Sequence, residues 1–257
     1  MKKRIAVLIL VFLLMLLAGC ESAAPPASEP TPAFAESTEP PSDDVVPTSE
    51  PEPKRIERFG IDVSKWQGTI RWDEIASSGE VDFAIVRLGT NSGGISEDPK
   101  GLTNLRAAAG AGISAGVYFY ANPSSAESSR KDADWVISKI EGEPVSFVVA
   151  YDIEVGSGGS KMTASERTDC AVAFLDRVRE AGFEPALYVP QDEIEDPALW
   201  EADRLIGSYR IWVANYDASP DLDPFPNQNT DYDLWQYSNT GSVRGISGDC
   251  DLSVAYF

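Results

Sequence analysis

Four acidic residues stand at the ends of predicted β-strands: Asp62, Asp152, Glu154 and Asp251. When carboxylates cluster they cannot all ionise easily, and the pKa of at least one of them rises. A protonated carboxyl beside an ionised one is the pairing that glycoside hydrolysis requires. Each acid alone is equally typical of a solubilising surface residue, and a metal cluster is the other interpretation. Because the chain lacks histidine and a regular acidic loop spacing, we expect no metal.

The composition narrows the chemistry further. The chain has 257 residues, with 21 Lys and Arg, 41 Asp and Glu, no His and a formal charge of −20. The missing histidine excludes Ser-His-Asp and Cys-His catalysis and HExxH zinc sites, so acid–base chemistry falls to carboxylates, Lys, Tyr or Cys. The acidic charge argues against a nucleic-acid-binding protein. The length predicts one domain of about 200 residues with appendages.

The N-terminal residues have the pattern of a targeting signal. A basic start precedes an apolar run that is too short to cross a bilayer, which predicts a signal peptide over residues 1–19. Leu-Ala-Gly before Cys20 resembles a bacterial lipobox, which implies cleavage before Cys20 and a lipid on its sulfur. The alternative is an ordinary secretory signal with an incidental Cys. Residues 20–57, rich in Pro, Glu and Ser, predict a disordered tether before a domain over residues 58–257.

In that domain, short β-branched runs alternate with segments of helical period. Strands are predicted over residues 59–63, 82–88, 113–120, 146–154, 185–189, 210–214, 233–237 and 251–254, and helices over 72–78, 102–111, 124–140 and 162–181. Thr163 and Glu166 form a capping-box signature at the start of the last helix, and Gly182 ends it. About eight largely parallel strands in ~200 residues favour a β/α barrel over an open doubly wound sheet.

A barrel of this kind brings the acidic residues together. Its chemistry lies at the carboxyl ends of the strands. The first and last strands are neighbours in a closed barrel, so we expect Asp62 and Asp251 to lie close together. Asp152 and Glu154 are two residues apart on one predicted strand, so they share a face at about 6.5 Å along the chain.

The sequence of the domain resembles a known family. The resemblance runs in order over residues 59–257 and rests on GIDVSKWQGTIRW (60–72), DFAIVRLG (82–89), Asp98 followed by Asn104, GVYFY (116–120), YDIE (151–154), WVANY (212–216), WQYS (235–238) and GDCDLS (248–253). These motifs resemble glycoside hydrolase family 25, the Chalaropsis-type lysozymes or N-acetylmuramidases.

The resemblance implies a single β/α barrel with fewer helices than strands, which cleaves the β-1,4 bond between N-acetylmuramic acid and N-acetylglucosamine in peptidoglycan without a cofactor. Carried onto the matching positions, it implies Glu154 as the general acid. Asp152 would be its partner, either as nucleophile or by orienting a substrate N-acetyl group that attacks. Asp62 and Asp251 would complete the site. One departure is Phe119, which replaces a histidine that the family usually carries beside the site.

Four aromatic residues are candidates for stacking on sugar faces: Tyr118, Trp235, Tyr188 and Trp66. The alternative for each is core packing, which is the commoner fate of strand aromatics. Gln236 lies on the opposite strand face from Trp235, and we expect it to be structural. Cys170 and Cys250 are predicted either to form a disulfide or to remain two buried thiols, and their spacing does not decide between these.

Together these patterns predict an extracytoplasmic, monomeric muramidase that is held at the cell membrane by the lipid on Cys20. Its substrate would be the glycan strands of peptidoglycan, with no nucleic-acid partner. The contrasting hypothesis is a non-catalytic glycan-binding lipoprotein on the same barrel. A third hypothesis is a peptidase or amidase that acts on the stem peptides, although the chain lacks the histidine ligands of zinc amidases.

Overall fold

The structure is a computed structural model that describes residues 57–155, 161–217 and 232–257. The predicted signal peptide, Cys20 and the tether up to residue 56 lie outside the described residues. The strands are β1 Arg58–Val63, β2 Phe83–Asn91, β3 Ile95–Glu97, β4 Ser114–Ala121, β5 Val148–Asp152, β6 Glu184–Pro190, β7 Arg210–Ala214, β8 Leu234–Gly241 and β9 Cys250–Ala255. The α-helices are α1 Trp72–Ser78, α2 Gly101–Gly110, α3 Ala126–Ile140, α4 Ala164–Glu180 and α5 Gln191–Ile194, with short 3-10 helices at Lys65–Gln67 and Ala202–Arg204. None of the helices in these ranges is long and apolar enough to cross a bilayer.

Eight of the nine described strands form a closed barrel. The ring runs from β1 through β2, β4, β5, β6, β7 and β8 as parallel neighbours, and β9 closes it by pairing antiparallel with both β8 and β1. The short strand β3 lies outside the ring and pairs antiparallel with β2. The predicted barrel with fewer helices than strands is therefore confirmed. An open doubly wound sheet is excluded because β1 pairs with both β2 and β9, which closes the ring.

The strands alternate their side chains between the barrel interior and the helix layer. One buried cluster fills the interior, and it includes Phe83, Ile85, Val148, Trp212 and Leu234. A larger cluster of buried residues from the opposite strand faces packs between the strands and the surrounding helices. This alternation decides which residues can reach the mouth of the barrel.

The predicted elements agree closely with the observed ones, and the exceptions are short. Thr163 caps α4 as predicted, because its side chain accepts from the backbone N–H of Glu166 while Glu166 accepts from the backbone N–H of Thr163. Strand β3 and helix α5 were not predicted. With three and four residues they are too short to show a period in the sequence.

Three residues that the sequence left in doubt now have definite places. Cys170 and Cys250 are both free thiols and both buried, so the predicted alternative of a disulfide is wrong. Phe119 faces the helix layer, where it is completely buried and its ring lies 5.3 Å from that of Trp135. The expectation that Phe119 stands beside the site is therefore wrong, because its strand position points it away from the barrel interior.

Candidate active site

The structure brings the four predicted carboxylates to one end of the barrel. Asp62 lies in β1 directly opposite Asp251 of β9. Asp152 is the last residue of β5, and Glu154 follows two residues later. The expectation that Asp251 lies at the carboxyl end of its strand is wrong, because Asp251 is the second residue of β9. Because β9 runs antiparallel to β1, the beginning of β9 lies beside the carboxyl ends of the parallel strands.

All four carboxylates line a cavity of about 120 Å³ at this end of the barrel. Its remaining lining residues come from β4, β6, β7 and β8 and from the segment after β7, and they are Tyr118, Tyr188, Trp212, Gln236 and Tyr216. Glu154 also lines two larger neighbouring spaces, one of about 430 Å³ and one of about 210 Å³. Glu154 therefore stands where three cavities meet, and it is exposed, whereas Asp152 is buried.

The electrostatics of Asp152 and Glu154 favour retention of a proton. Burial raises the pKa of Asp152 well above its usual range, and the negative charges of Glu154 and Asp62 raise it further. Partial burial of its carboxyl raises the pKa of Glu154, and the charge of Glu193 raises it further. The contact between the two carboxyls raises the pKa of Asp152 and lowers that of Glu154.

Two features bear on where that proton lies. Among the described residues, the Oδ1 atom of Asp152 is buried and has no hydrogen-bond partner, which is costly for an ionised carboxylate. The positive charge of Arg87 acts in the opposite direction and lowers the pKa of Asp152. Burial thus draws the proton towards Asp152, and Arg87 favours its transfer to Glu154.

A second carboxylate pair lies across the cavity. Burial raises the pKa of Asp62 well above its usual range, the charge of Asp251 raises it further, and a hydrogen bond from Gln236 lowers it. The pKa of Asp251 is also raised by burial, and its contact with Asp62 opposes this. The site thus holds two close pairs of acidic groups in one enclosed space.

Arg87 was not predicted as a site residue. It lies in β2, and its guanidinium is bound by the buried Asp98, with Nε and a terminal nitrogen each 2.9 Å from Asp98 Oδ2. Asp98 also accepts from the backbone N–H of Lys65 at 3.0 Å, and so it fixes the short helix that carries Trp66. The sequence offered one signal for this role, because Arg87 is the single basic residue inside the apolar strand DFAIVRL.

The predicted aromatic residues divide into three groups. Tyr118 and Tyr188 line the carboxylate cavity. Trp66 is 75% exposed on its short helix and does not line that cavity. Trp235 is 0% exposed, because it points outward from β8, and its Nε1 donates to the backbone oxygen of Asn215 at 2.8 Å. A sugar ring cannot stack on Trp235 in this structure.

Gln236, and not its neighbour Trp235, faces the carboxylate cavity. Gln236, which we expected to be structural, points into the barrel, lines the cavity and donates a hydrogen bond to Asp62. Tyr216, within the WVANY motif, was also missed, although it lines two of the cavities. Within the described ranges, no group of three or more His, Cys, Asp or Glu side chains is arranged to hold a metal ion.

Comparisons with known sequences agree with this picture. The family described as glycosyl hydrolases family 25 has a sequence model that matches residues 61–246. Lysozyme M1 of Streptomyces globisporus is 29% identical over 202 residues, which cover 75% of this chain and 65% of that protein. The autolytic lysozyme of Clostridium acetobutylicum is 26% identical over 193 residues, which cover 75% of this chain and 54% of that protein. The chain therefore spans less than two thirds of the length of these two relatives.

Solved structures show the same architecture. The bacterial lysozyme from Streptomyces coelicolor matches with a TM-score of 0.61 at 26% identity, covering 76% of this chain and 90% of that one. The modular autolysin LytC of Streptococcus pneumoniae, in complex with a synthetic peptidoglycan ligand, matches with a TM-score of 0.66 at 24% identity, covering 78% and 47%. The second likeness concerns the fold alone.

Proposed function

This chain belongs to glycosyl hydrolase family 25, and we propose that it hydrolyses the glycan strands of peptidoglycan. The bond cleaved is the β-1,4 bond between N-acetylmuramic acid and N-acetylglucosamine. The observation that carries this proposal is the position of Glu154. It is an exposed carboxyl with a raised pKa at the meeting point of three cavities, and it contacts a buried carboxyl partner.

In the proposed reaction, the glycan occupies the two larger cavities and passes over Glu154. Protonated Glu154 gives its proton to the glycosidic oxygen as the bond from that oxygen to the anomeric carbon breaks. A general acid must retain its proton near the working pH. The partial burial of the Glu154 carboxyl and the nearby charge of Glu193 favour this, and they outweigh the contact with Asp152, which lowers the pKa of Glu154. The ionised Glu154 then takes a proton from the water that completes hydrolysis.

Asp152 has two possible parts in this reaction, and both use an ionised carboxylate. It either bonds to the anomeric carbon as nucleophile, or orients the substrate N-acetyl group so that its carbonyl oxygen bonds there instead. The positive charge of Arg87 supports either part, because it stabilises ionised Asp152 and so opposes the burial that raises the pKa of that carboxyl. Asp62 and Asp251 form the opposite wall and would contact the sugar.

The proposal is tested by digestion of purified peptidoglycan with the wild-type protein, Glu154→Gln and the matched control Glu184→Gln. Glu184 is the exposed first residue of β6 and pairs with Arg210, so it lies at the opposite end of the strand from the site. We expect new reducing ends from the wild type and the control. We expect the rate for Glu154→Gln to fall by about 10²- to 10⁴-fold. Wild-type activity in Glu154→Gln would overturn the assignment of the general acid.

The same samples separate hydrolysis from glycan binding. A pull-down with insoluble peptidoglycan measures binding of the wild type and of Glu154→Gln. An enzyme predicts that both bind and that only the wild type releases reducing ends. If the wild type binds and releases none, the chain is a glycan-binding protein and not a hydrolase.

We also propose that the protein works outside the cytoplasm on a lipid anchor at Cys20, with residues 20–57 as the tether. Support comes from the lipobox-like sequence and from the location of the proposed substrate in the cell wall. Labelled palmitate should be incorporated into the wild type and not into Cys20→Ala. Equal incorporation into the variant would contradict the anchor.

A further inference from the structure

Gln236 links three cavity residues by hydrogen bonds from a buried position on β8. It is 3% exposed. Its Nε2 donates to Asp62 Oδ2 at 2.8 Å. Its Oε1 accepts from the hydroxyl of Tyr188 at 2.8 Å and from the hydroxyl of Tyr216 at 2.6 Å.

The amide of Gln236 forms hydrogen bonds on both of its sides. Nε2 faces Asp62 Oδ2, which accepts there whether or not the other carboxyl oxygen holds a proton, and the amide oxygen faces the two tyrosines. An amide oxygen only accepts, so each phenol hydroxyl donates where it bonds to Gln236. The two hydroxyls also contact each other, so Tyr188, Tyr216 and Gln236 form one network.

The other aromatic residues of the cavity stand outside this network. Nε1 of Trp212 donates to Ser253 Oγ at 3.2 Å, and the hydroxyl of Tyr118 makes no hydrogen bond among the described residues. Gln236 is therefore the residue that joins Asp62 to the two tyrosines.

We propose that Gln236 is a positioning residue that holds the side chains of Asp62, Tyr188 and Tyr216 in place at the wall of the catalytic cavity. This inference rests on the proposed function and deepens it, because it assigns to Gln236 the placement of three groups that would face the sugar.

Removal of Gln236 should also change the protonation of Asp62. Its hydrogen bond to Oδ2 stabilises the ionised form, against burial and against the charge of Asp251. The titratable and charged groups whose fields reach Asp62 or the residues around it are Arg87, Tyr118, Asp152, Glu154, Tyr188, Tyr216, Cys250 and Asp251. The hydrogen bond from Nε2 is the interaction that a Gln236 variant removes from Asp62 directly, so the change in the Asp62 titration reports its loss.

The test compares the full chain with Gln236→Met, Gln236→Glu and the matched control Trp235→Phe, which alters the outward neighbour on the same strand. Aspartate side chains labelled with ¹³C at the carboxyl carbon are titrated by NMR. We expect the pKa of Asp62 to rise by about one unit in Gln236→Met, because a hydrogen bond to a charged group is lost. It should rise at least as far in Gln236→Glu, where a like charge faces Asp62. It should not change in Trp235→Phe.

Kinetics on solubilised peptidoglycan fragments supply the second measurement. We expect kcat/KM to fall about tenfold or more in Gln236→Met, with the acidic limb of its pH profile moved upward as the Asp62 titration moves. Tyr188→Phe removes the hydroxyl that donates to Gln236. Its effect on kcat/KM should be smaller in the Gln236→Met background, where this hydrogen bond is already lost.

Two results would overturn the inference. One is an unchanged Asp62 titration in folded Gln236→Met or Gln236→Glu. The other is an equal shift in Trp235→Phe, which would indicate a general disturbance of β8. If Gln236→Met does not fold, the isosteric Gln236→Glu decides. If the wild type releases no reducing ends, the proposed function fails, but the NMR titration still decides the role of Gln236.

Discussion

Replacement of Asp98 by Ala should strongly destabilise the barrel. The carboxylate binds Arg87 through two contacts of 2.9 Å and accepts from the backbone N–H groups of Lys65 and Lys100 at 3.0 and 2.9 Å. The Asp98 side chain is 1% exposed and that of Arg87 is 15% exposed. Removal of one partner from a buried ion pair costs about 3–5 kcal/mol, because the other charge is left unpaired.

The expected size of the effect is large enough to measure by thermal unfolding. For a domain of this size, 1 kcal/mol shifts Tm by about 2–4 °C, so Asp98→Ala should lower Tm by about 6–20 °C. Arg87→Met should cost less, because Asp98 keeps its two backbone donors while Arg87 has no other hydrogen bond among the described residues. The double variant should be more stable than Asp98→Ala alone, since the unpaired buried charge is gone.

Calorimetry on the four proteins at pH 7 gives this comparison directly, with circular dichroism as a check that each variant folds. A Tm of Asp98→Ala within about 2 °C of the wild-type Tm would refute a strong buried ion pair, because so small a loss is typical of an ion pair on the surface. Such a pair is also refuted if the two single losses simply add in the double variant, because that result would mean that Arg87 and Asp98 are not coupled.

Further predictions concern pH, packing and the thiols. Asp152 has a raised pKa when folded, so the folded state binds more protons than the unfolded state above about pH 4, and stability falls as pH rises through that window. Asp152→Asn should therefore raise Tm at pH 7, and thermal unfolding should show no gain at pH 3. Gly116→Ala should destabilise by about 1–3 kcal/mol in urea unfolding, because its Cβ would lie 2.5 Å from the backbone oxygen of Val148. Cys170 and Cys250 should react with a thiol reagent only after unfolding, since both are buried, and reaction in the native state would contradict their burial.

The main elements of the fold followed from the sequence because each one has a strong local signal. Helix α1 begins and ends at the predicted residues 72 and 78, and β7 matches its predicted range of 210–214. The direction of β9 did not follow, because an apolar strand reads the same whether its neighbours are parallel or antiparallel. The short β3 was missed because pairing with β2, a tertiary contact, is what makes it a strand.

The candidate site was less predictable, because alternation along a strand gives two faces without saying which one is inside. The prediction that Trp235 and Gln236 lie on opposite faces of β8 is correct. The prediction that Trp235 faces the cavity is wrong, because Gln236 lies on that face. The strand register resolves this, since Trp235 pairs with Val254 of the outer cluster and Gln236 pairs with Ser253. Arg87 was missed because its partner Asp98 and its target Asp152 lie on different segments and meet only in the folded chain.

The identity of the new reducing terminus tests the central claim most directly. Purified peptidoglycan is digested, the products are reduced with borohydride, and mass spectrometry identifies the reduced sugar while new free amines are counted in parallel. We predict muramitol at the new ends, no increase in free amines, and neither product from Glu154→Gln. Glucosaminitol at the new ends would assign a different glycosidic bond, and free amines without reducing ends would contradict glycoside hydrolysis altogether.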